Sequence, residues 1–342
     1  MGNSLRIGVV GCGAMGRQHL SIWKNTPGAT VTAVCDPNHE VAVSAAEPFG
    51  AKAFADLETL LDSGLIDAVD LITPSGLHAD QSLKAVQKGI HVLCEKPLDL
   101  SLEKIDRLLE AAEAENITVA CVFQRRAYPA AQKVAAAVHD GRFGKLVSCS
   151  AATKWWRSQE YYNSADWRGT WALDGGVLAN QAIHAIDHLC WLAGSVEEVE
   201  YARIDTLSHD MEAEDNALAV VRFSSGARGV IEATTCCNPP LASRIEVYGT
   251  NGSAAFDDAT PVSFGIGGED LLSTVQDDTG AIGGQADPMA ISLRGHSIIA
   301  ADLVEAIQTG RTPMVPISAA RVSVEALVKI YQAARPGLNL GT

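Results

Sequence analysis

One lysine closes a short apolar run in HVLCEKPL, where Glu95, Lys96 and Pro97 follow His91–Cys94. A lysine at the end of a buried strand can give or take a proton if burial lowers its pKa. Taken alone, it reads as readily as a surface charge. Pro97 fixes the backbone behind it, and the bond before a proline can be cis. A second group of reactive side chains lies in GVLANQAIHAIDHLCWLAG, from Gly176 to Gly194. Read as one helix, Asn180, His184, Asp187 and His188 are spaced three and four apart and share a face. The H-x-x-D-H part looks like a fragment of a metal site. A catalytic zinc wants three protein ligands and an open position. Only His209, Glu212 and Glu214 follow at a usable spacing, and no metal is expected. For His188 the plainer reading is a histidine satisfied inside a partly buried helix. Asp187 is expected to orient a neighbour or to tie the helix to the first domain.

The segment TKWWRSQEYYNSADWRGTWALDGG holds four of the six tryptophans. Sugar rings offer C–H faces that stack on aromatics and hydroxyls that need directional partners. Arginine can hold a carboxylate or phosphate with two parallel hydrogen bonds. Lys154, Trp167 and Arg168 are the candidates for substrate binding. The competing expectation is a loop whose aromatics pack on one another.

These groups need a scaffold, and the sequence describes one. Residues 5–125 alternate short Val/Ile-rich runs (LRIGVVG, TVTAVCD, DAVDLITP, HVLCEKP, TVACVF) with helical patterns. Strands apolar on both faces suit a parallel sheet covered by helices, and the βαβ rhythm implies a doubly wound sheet. GCGAMG follows the first of these strands and opens a helix-like run. Gly11 permits the tight turn, Gly13 lets backbone approach a pyrophosphate, and Gly16 permits close helix–strand packing. Ala14 and Met15 lie in the same turn, whose N–H groups point at phosphate. Asp36 ends the next strand, twenty residues after Gly16. Its carboxylate suits a ribose diol and repels a 2′-phosphate, so NAD is expected over NADP. After Phe123 the strands lengthen and alternate in polarity (KLVSCSAATK, VEEVEYARIDT, ALAVVRFSSG, ARGVIEATTCC, SRIEVYGT), as in an open, mainly antiparallel sheet. The expected division is 1–125 and 126–342, with helices at about 295–335 returning to the first domain. A surface loop is expected over Gly265–Gly284.

Composition excludes several classes. The 342 residues carry 26 basic and 41 acidic side chains, a net charge of -15. Such a chain repels phosphate backbones and anionic membranes, so neither nucleic acid nor membrane is an expected partner. No stretch approaches the ~20 apolar residues of a membrane helix. Eight scattered cysteines without a C-x-x-C read as free thiols, and a cytoplasmic location is expected.

Taken together, GCGAMG, Asp36, Thr73-Pro74 with His78 in TPSGLH, Glu95-Lys96-Pro97, Gln124 in FQRRAYP, GGVLANQAIHAIDHL and the GTNG turn resemble the glucose-fructose oxidoreductase / inositol dehydrogenase / rhizopine-catabolism (Gfo/Idh/MocA) family. The resemblance covers nearly the whole chain. It implies an N-terminal Rossmann domain and a C-terminal α/β domain with an open antiparallel sheet, with the active site between them. It also implies hydride transfer between NAD and the CH–OH carbon of a sugar, sugar derivative or cyclic polyol such as inositol. Lys96 carries over as the acid/base of E-K-P, and His184 as the histidine of D-x-x-x-H. Thr73, Pro74, His78, Glu95 and Gln124 carry over as residues of the cofactor site. The family's pairing through its exposed sheet implies a homodimer or homotetramer. The chain departs from the pattern at Asn180, which stands where D-x-x-x-H has its carboxylate. An amide takes no proton, but it hydrogen-bonds a hydroxyl. Two alternatives stay open. One is a redox-neutral enzyme that recycles bound NAD through oxidation–elimination or epimerisation of a glycoside. The other is an NAD-binding sensor without turnover.

Overall fold

The computed structural model describes residues 4–276, 284–287, 291–338 and 340. The chain divides into two compact units. The first comprises 1–124 and 293–320, and the second 125–292 and 321–342.

In the first unit the elements run β1 (Leu5–Val10), α1 (Ala14–Lys24), β2 (Ala29–Cys35), α2 (His39–Ala46), β3 (Lys52–Phe54), α3 (Leu57–Leu61), β4 (Ala68–Leu71), α4 (His78–Gln87), β5 (His91–Cys94), α5 (Leu102–Ala114) and β6 (Val119–Cys121). The six strands are all parallel, in the order β3-β2-β1-β4-β5-β6. This is the doubly wound order in which ligands sit beyond the carboxyl ends of the strands. β4 is buried along its whole length and β1 at all but Arg6, so both read as apolar runs without alternation. The outer edge of β6 is closed by the returning segment. Cys121 N donates to Val315 O at 3.0 Å, and Ala120 pairs with Pro316.

The second unit opens with α6 (Pro129–His139), β7 (Leu146–Lys154) and α7 (Gln159–Tyr162). α8 (Val177–Asn180) and α9 (Ile183–Ala193) follow. The remaining strands are β8 (Val196–Asp205), β9 (Asn216–Phe223), β10 (Arg228–Thr234), β11 (Arg244–Gly249), β12 (Gly252–Asp257), β13 (Thr260–Ile266) and β14 (Glu269–Asp270), and α10 (Leu272–Val275) ends this run. They form one eight-stranded sheet, β14-β13-β12-β11-β7-β10-β9-β8. It is antiparallel except where β7 meets β10 in parallel. One face is buried and the other half-exposed, as in β10, where Gly229, Ile231 and Ala233 are buried while Arg228 and Val230 are exposed. α9 packs on β7 and β11, and α8 packs on β9 and β10. α11 (Arg294–Thr309) belongs to the first unit, and α12 (Ile317–Ala334) begins in the first and ends in the second.

Two expectations are corrected. The stretch 176–194 is not one helix, because α8 stops at Asn180 and α9 starts at Ile183. Gln181 N and Ala182 N both donate to Val177 O, which widens the turn and interrupts the i→i−4 ladder. Part of the loop expected over Gly265–Gly284 is instead β13, β14 and α10, while residues 277–283 lie outside the described residues. No helix among the described residues is long and apolar enough to cross a membrane.

Candidate active site

In the first unit, the loops at the carboxyl edge of the parallel sheet carry the nucleotide-site candidates. β1 ends at Gly11, whose φ of 92° is left-handed backbone. A Cβ there would strike the Ile72 carbonyl, and one on Gly16 would strike the Gly11 carbonyl. At Gly13 a Cβ would meet nothing, so the turn is open on that side. α1 starts directly after Gly13 with no side-chain cap and no acid in its first turn, leaving its N–H groups directed outward beside Ala14 and Met15. Asp36 closes the turn from β2. Its Oδ2 accepts from Cys12 N at 2.9 Å and its Oδ1 from Asn38 N at 2.9 Å. Each carboxylate oxygen retains a second lone pair for a diol.

After β4, Thr73 Oγ1 donates to Gln81 Oε1 at 2.6 Å, and Pro74 leads into α4. His78 is buried. Its ring nitrogens lie 2.8 Å from Thr73 O and 2.7 Å from Pro97 O, so it joins the loop after β4 to the loop after β5. After β5, Glu95 is buried, Lys96 is half-buried and the Lys96–Pro97 bond is cis. Between Val92 and Leu100 every residue except Lys96 is buried. After β6, Gln124 is buried, and its Oε1 has no partner among the described residues. An open glycine turn, an uncapped helix start, a carboxylate at the end of β2 and an orphaned amide oxygen fit a dinucleotide.

Behind Lys96 lies a buried ion cluster that sequence reasoning missed. Asp70 accepts from Trp23 Nε1 at 2.6 Å and lies 2.7 Å from His19 Nδ1. His19 Nε2 is 3.0 Å from Glu95 Oε1, and His296 Nε2 is 3.7 Å from the same oxygen. Glu95 Oε2 accepts from the Lys96 backbone N–H at 3.1 Å. Burial disfavours the His19 charge, but Asp70 and Glu95 outweigh it and push the imidazole up to about 10. Burial likewise opposes the Glu95 carboxylate, yet His19 overcomes it and brings the group down to about 2. The only sequence signal was the spacing of His19 within α1, three residues after Gly16 and on the face that packs on the sheet.

The second unit holds the other candidates. Asn180 ends α8 and His184 lies in the first turn of α9. Asn180 is half-buried and is the one residue between Asp174 and Cys190 that is not buried. Its Nδ2 donates to Asp174 Oδ1, a residue sequence reasoning also missed. Asp174 Oδ2 accepts from Gly169 N at 2.8 Å. Glu214 lies beneath α8, where its Oε1 accepts from Leu178 N at 2.9 Å and from the Tyr331 hydroxyl at 2.8 Å. Burial pushes the Glu214 carboxyl up to about 8, and Asp174 adds to this.

The motif residues beyond His184 are structural. Asp187 accepts from Arg126 Nε and Nη2 at 2.8 and 2.6 Å and from Ser323 Oγ at 2.6 Å. Both partners belong to the second unit, so the expected tie to the first domain is corrected to one within its own unit. His188 is fully buried between Phe256 and Trp191, and burial pushes it down to about 3. Neither of its ring nitrogens has a hydrogen-bond partner among the described residues, so the expected satisfied histidine is corrected to one packed among aromatics. Two clusters of described residues have metal-ligand spacing, His19/Glu95/His296 and His209/Asp215/Cys236, and neither includes His184 or His188. The aromatic segment packs largely on itself. Arg168 stacks on Tyr161 and Trp167, with its carbon 4.3 and 4.5 Å from their ring centres, and donates to the Tyr161 hydroxyl at 2.7 Å. Arg157 donates to the Gly284 and Gln285 carbonyls. Lys154 pairs with Glu232 at 3.1 Å.

Residues 5–123 match the model of an oxidoreductase family with an NAD-binding Rossmann fold, and 131–255 match the GFO/IDH/MocA C-terminal domain. The chain is similar to the WlbA dehydrogenase from Bordetella pertussis, solved with NADH and UDP-GlcNAcA. The two share 31% identity and a TM-score of 0.87, covering 99% of this chain and 98% of that one. Inositol 2-dehydrogenase of Corynebacterium glutamicum is 31% identical over 61% of each chain. Levoglucosan dehydrogenase of Pseudarthrobacter phenanthrenivorans is 26% identical over 74% of each.

Proposed function

This chain belongs to the GFO/IDH/MocA family of NAD-binding oxidoreductases, and on that premise we propose that it is a dehydrogenase of a sugar, sugar acid or cyclic polyol that prefers NAD to NADP. When bound, NAD supplies the hydride acceptor. Lys96 carries the proton of the reacting hydroxyl at Nζ, and His184 shares that role. Asn180, Lys154 and Arg168 orient other substrate oxygens, and Trp167 offers its ring to the C–H face of the sugar. Asp36 gives the cofactor preference, because a carboxylate repels the 2′-phosphate of NADP.

The observation that carries this reading is the exposure of Lys96. It is the one half-buried side chain in an otherwise buried loop. That loop lies on the same sheet edge as the glycine turn, in a unit whose cofactor-site residues fit a dinucleotide. Three relatives suggest the substrates to try: inositols, levoglucosan and a UDP-linked hexuronic acid. The test is to follow NADH absorbance across that panel, with NADP in parallel. Turnover of at least one compound with NAD, and a loss of about 10²-fold or more in kcat for Lys96→Met, are expected. Near-normal kcat in that variant would refute the mechanism. Product formed without net NADH would instead favour the redox-neutral alternative.

A further inference from the structure

We propose that Asp174 is a positioning residue that fixes which end of the Asn180 amide meets the substrate. Its carboxylate takes the Asn180 N–H, so the Asn180 carbonyl oxygen is the end that accepts a hydrogen bond from a substrate hydroxyl. This inference rests on the dehydrogenase reading for the identity of the partner.

A carboxylate only accepts hydrogen bonds, so the amide facing it must present its nitrogen. Asp174 is 1% exposed and has no freedom to turn away. Its second oxygen is held by Gly169 N, and its own N–H donates to Thr170 O at 3.1 Å. The Gly169 carbonyl in turn accepts from Ala213 N at 2.8 Å, next to Glu214, which holds the start of α8 at Leu178. Asn180 is thus fixed from both ends of a short helix by buried acids, and it alone in that stretch is accessible.

The arrangement also accounts for the amide at position 180. A second carboxylate there would face that of Asp174, and two adjacent carboxylates, one of them buried, resist ionising together. The charge sits at 174 and the accepting oxygen at 180.

The experiment follows from the donor count. In Asp174→Asn the new amide keeps its oxygen on Gly169 N–H and turns its NH2 toward Asn180. Asn180 must then rotate and show NH2 to the substrate. For the best substrate of the panel, KM is expected to rise about tenfold with kcat altered less and NAD affinity unchanged. The exchange variant D174N/N180D restores an accepting oxygen on both sides of residue 180 and is expected to recover most of the lost KM. An unchanged KM in D174N, or an exchange variant no better than D174N, would overturn the proposal. A second readout needs neither variant nor turnover. With selective 15N labelling of asparagine, the Asn180 side-chain amide of the wild type is expected downfield and slow to exchange. An Asn180 amide that exchanges like those of exposed asparagines would also overturn it. If the wild type oxidises nothing on the panel, the dehydrogenase reading fails and takes the substrate half of this proposal with it. The amide signal still decides the Asp174–Asn180 pairing.

Discussion

Glu214 and His19 show how strongly a single buried group can be displaced, and each displacement has a sign. Glu214 in the fold keeps its proton until about pH 8, against 4.5 for an ordinary glutamate. The unfolded chain therefore releases that proton first. The stability tied to the neutral carboxyl is complete below about pH 4.5 and is lost as pH rises through about 8. Glu214→Gln keeps an acceptor for Leu178 N–H and has no proton to lose. Between pH 5 and pH 9 its melting temperature is expected to gain several degrees on the wild type, read by calorimetry across pH. Parallel curves would mean that Glu214 is already ionised in the fold. His19 runs the opposite course, since it is held charged up to about pH 10 while Glu95 stays ionised down to about pH 2. The pair is fully stabilising between the two unfolded values, about 4.5 and 6.5. It weakens as pH rises toward 10 through His19 or falls toward 2 through Glu95. His19→Leu leaves Asp70 buried without its cation and Glu95 with only His296 at 3.7 Å, and a loss of about 3–5 kcal/mol in urea unfolding is expected. A loss below about 1 kcal/mol would show that the carboxylates find other partners. At this scale the sequence was legible where a residue sat in a motif, as Lys96, Asn180 and His184 do. Glu214 and His19 were not, because their partners are distant in sequence: Tyr331 lies 117 positions from Glu214, and Asp70 and Glu95 lie 51 and 76 positions from His19. Asp174 has near partners, Gly169 and Asn180, but it sits in no motif that marks it.

Among the elements, the turn from β1 into α1 was the most readable, since Gly11 and Gly16 answer two separate steric demands and Gly13 leaves the turn open. Gly11 tests the first of them. Alanine at that left-handed φ would also meet the Ile72 carbonyl. Gly11→Ala is expected to cost more than about 1 kcal/mol and to weaken NAD binding, checked by thermal melts and fluorescence titration. Unchanged affinity would mean that the turn is not the pyrophosphate site. Five of the six strands of the first unit fell within a few residues of their expected places, because a sheet buried on both faces leaves uninterrupted apolar runs, while the three-residue edge strand β3 was missed. β12, β13 and β14 were missed. They begin with Gly252, Thr260 and Glu269 and are only partly buried, and β14 has just two residues. The break between α8 and α9 has no local cause either. No glycine or proline lies between Val177 and Ala193. It is set by tertiary contacts, with Leu178 N held by Glu214 and Asn180 held by Asp174.

For the molecule as a whole, two sheets of different character were foreseeable from the change in polarity pattern after Phe123. The order of the eight strands was not, because β7 pairs with β10 and β11 across long stretches of sequence. Neither unit is one continuous stretch of chain. The first lacks the partner for its β6 edge, and the His296 ring beside Glu95, until residues 293–320 arrive. That has a consequence for biosynthesis. On a ribosome adding roughly 5–20 residues per second, some 196 residues separate Gln124 from Ala320, a delay on the order of 10–40 seconds. Through that interval the nascent nucleotide-binding unit carries an unfinished sheet edge while the other unit is being made. A truncation after Gln124 reproduces that intermediate rather than a self-sufficient domain.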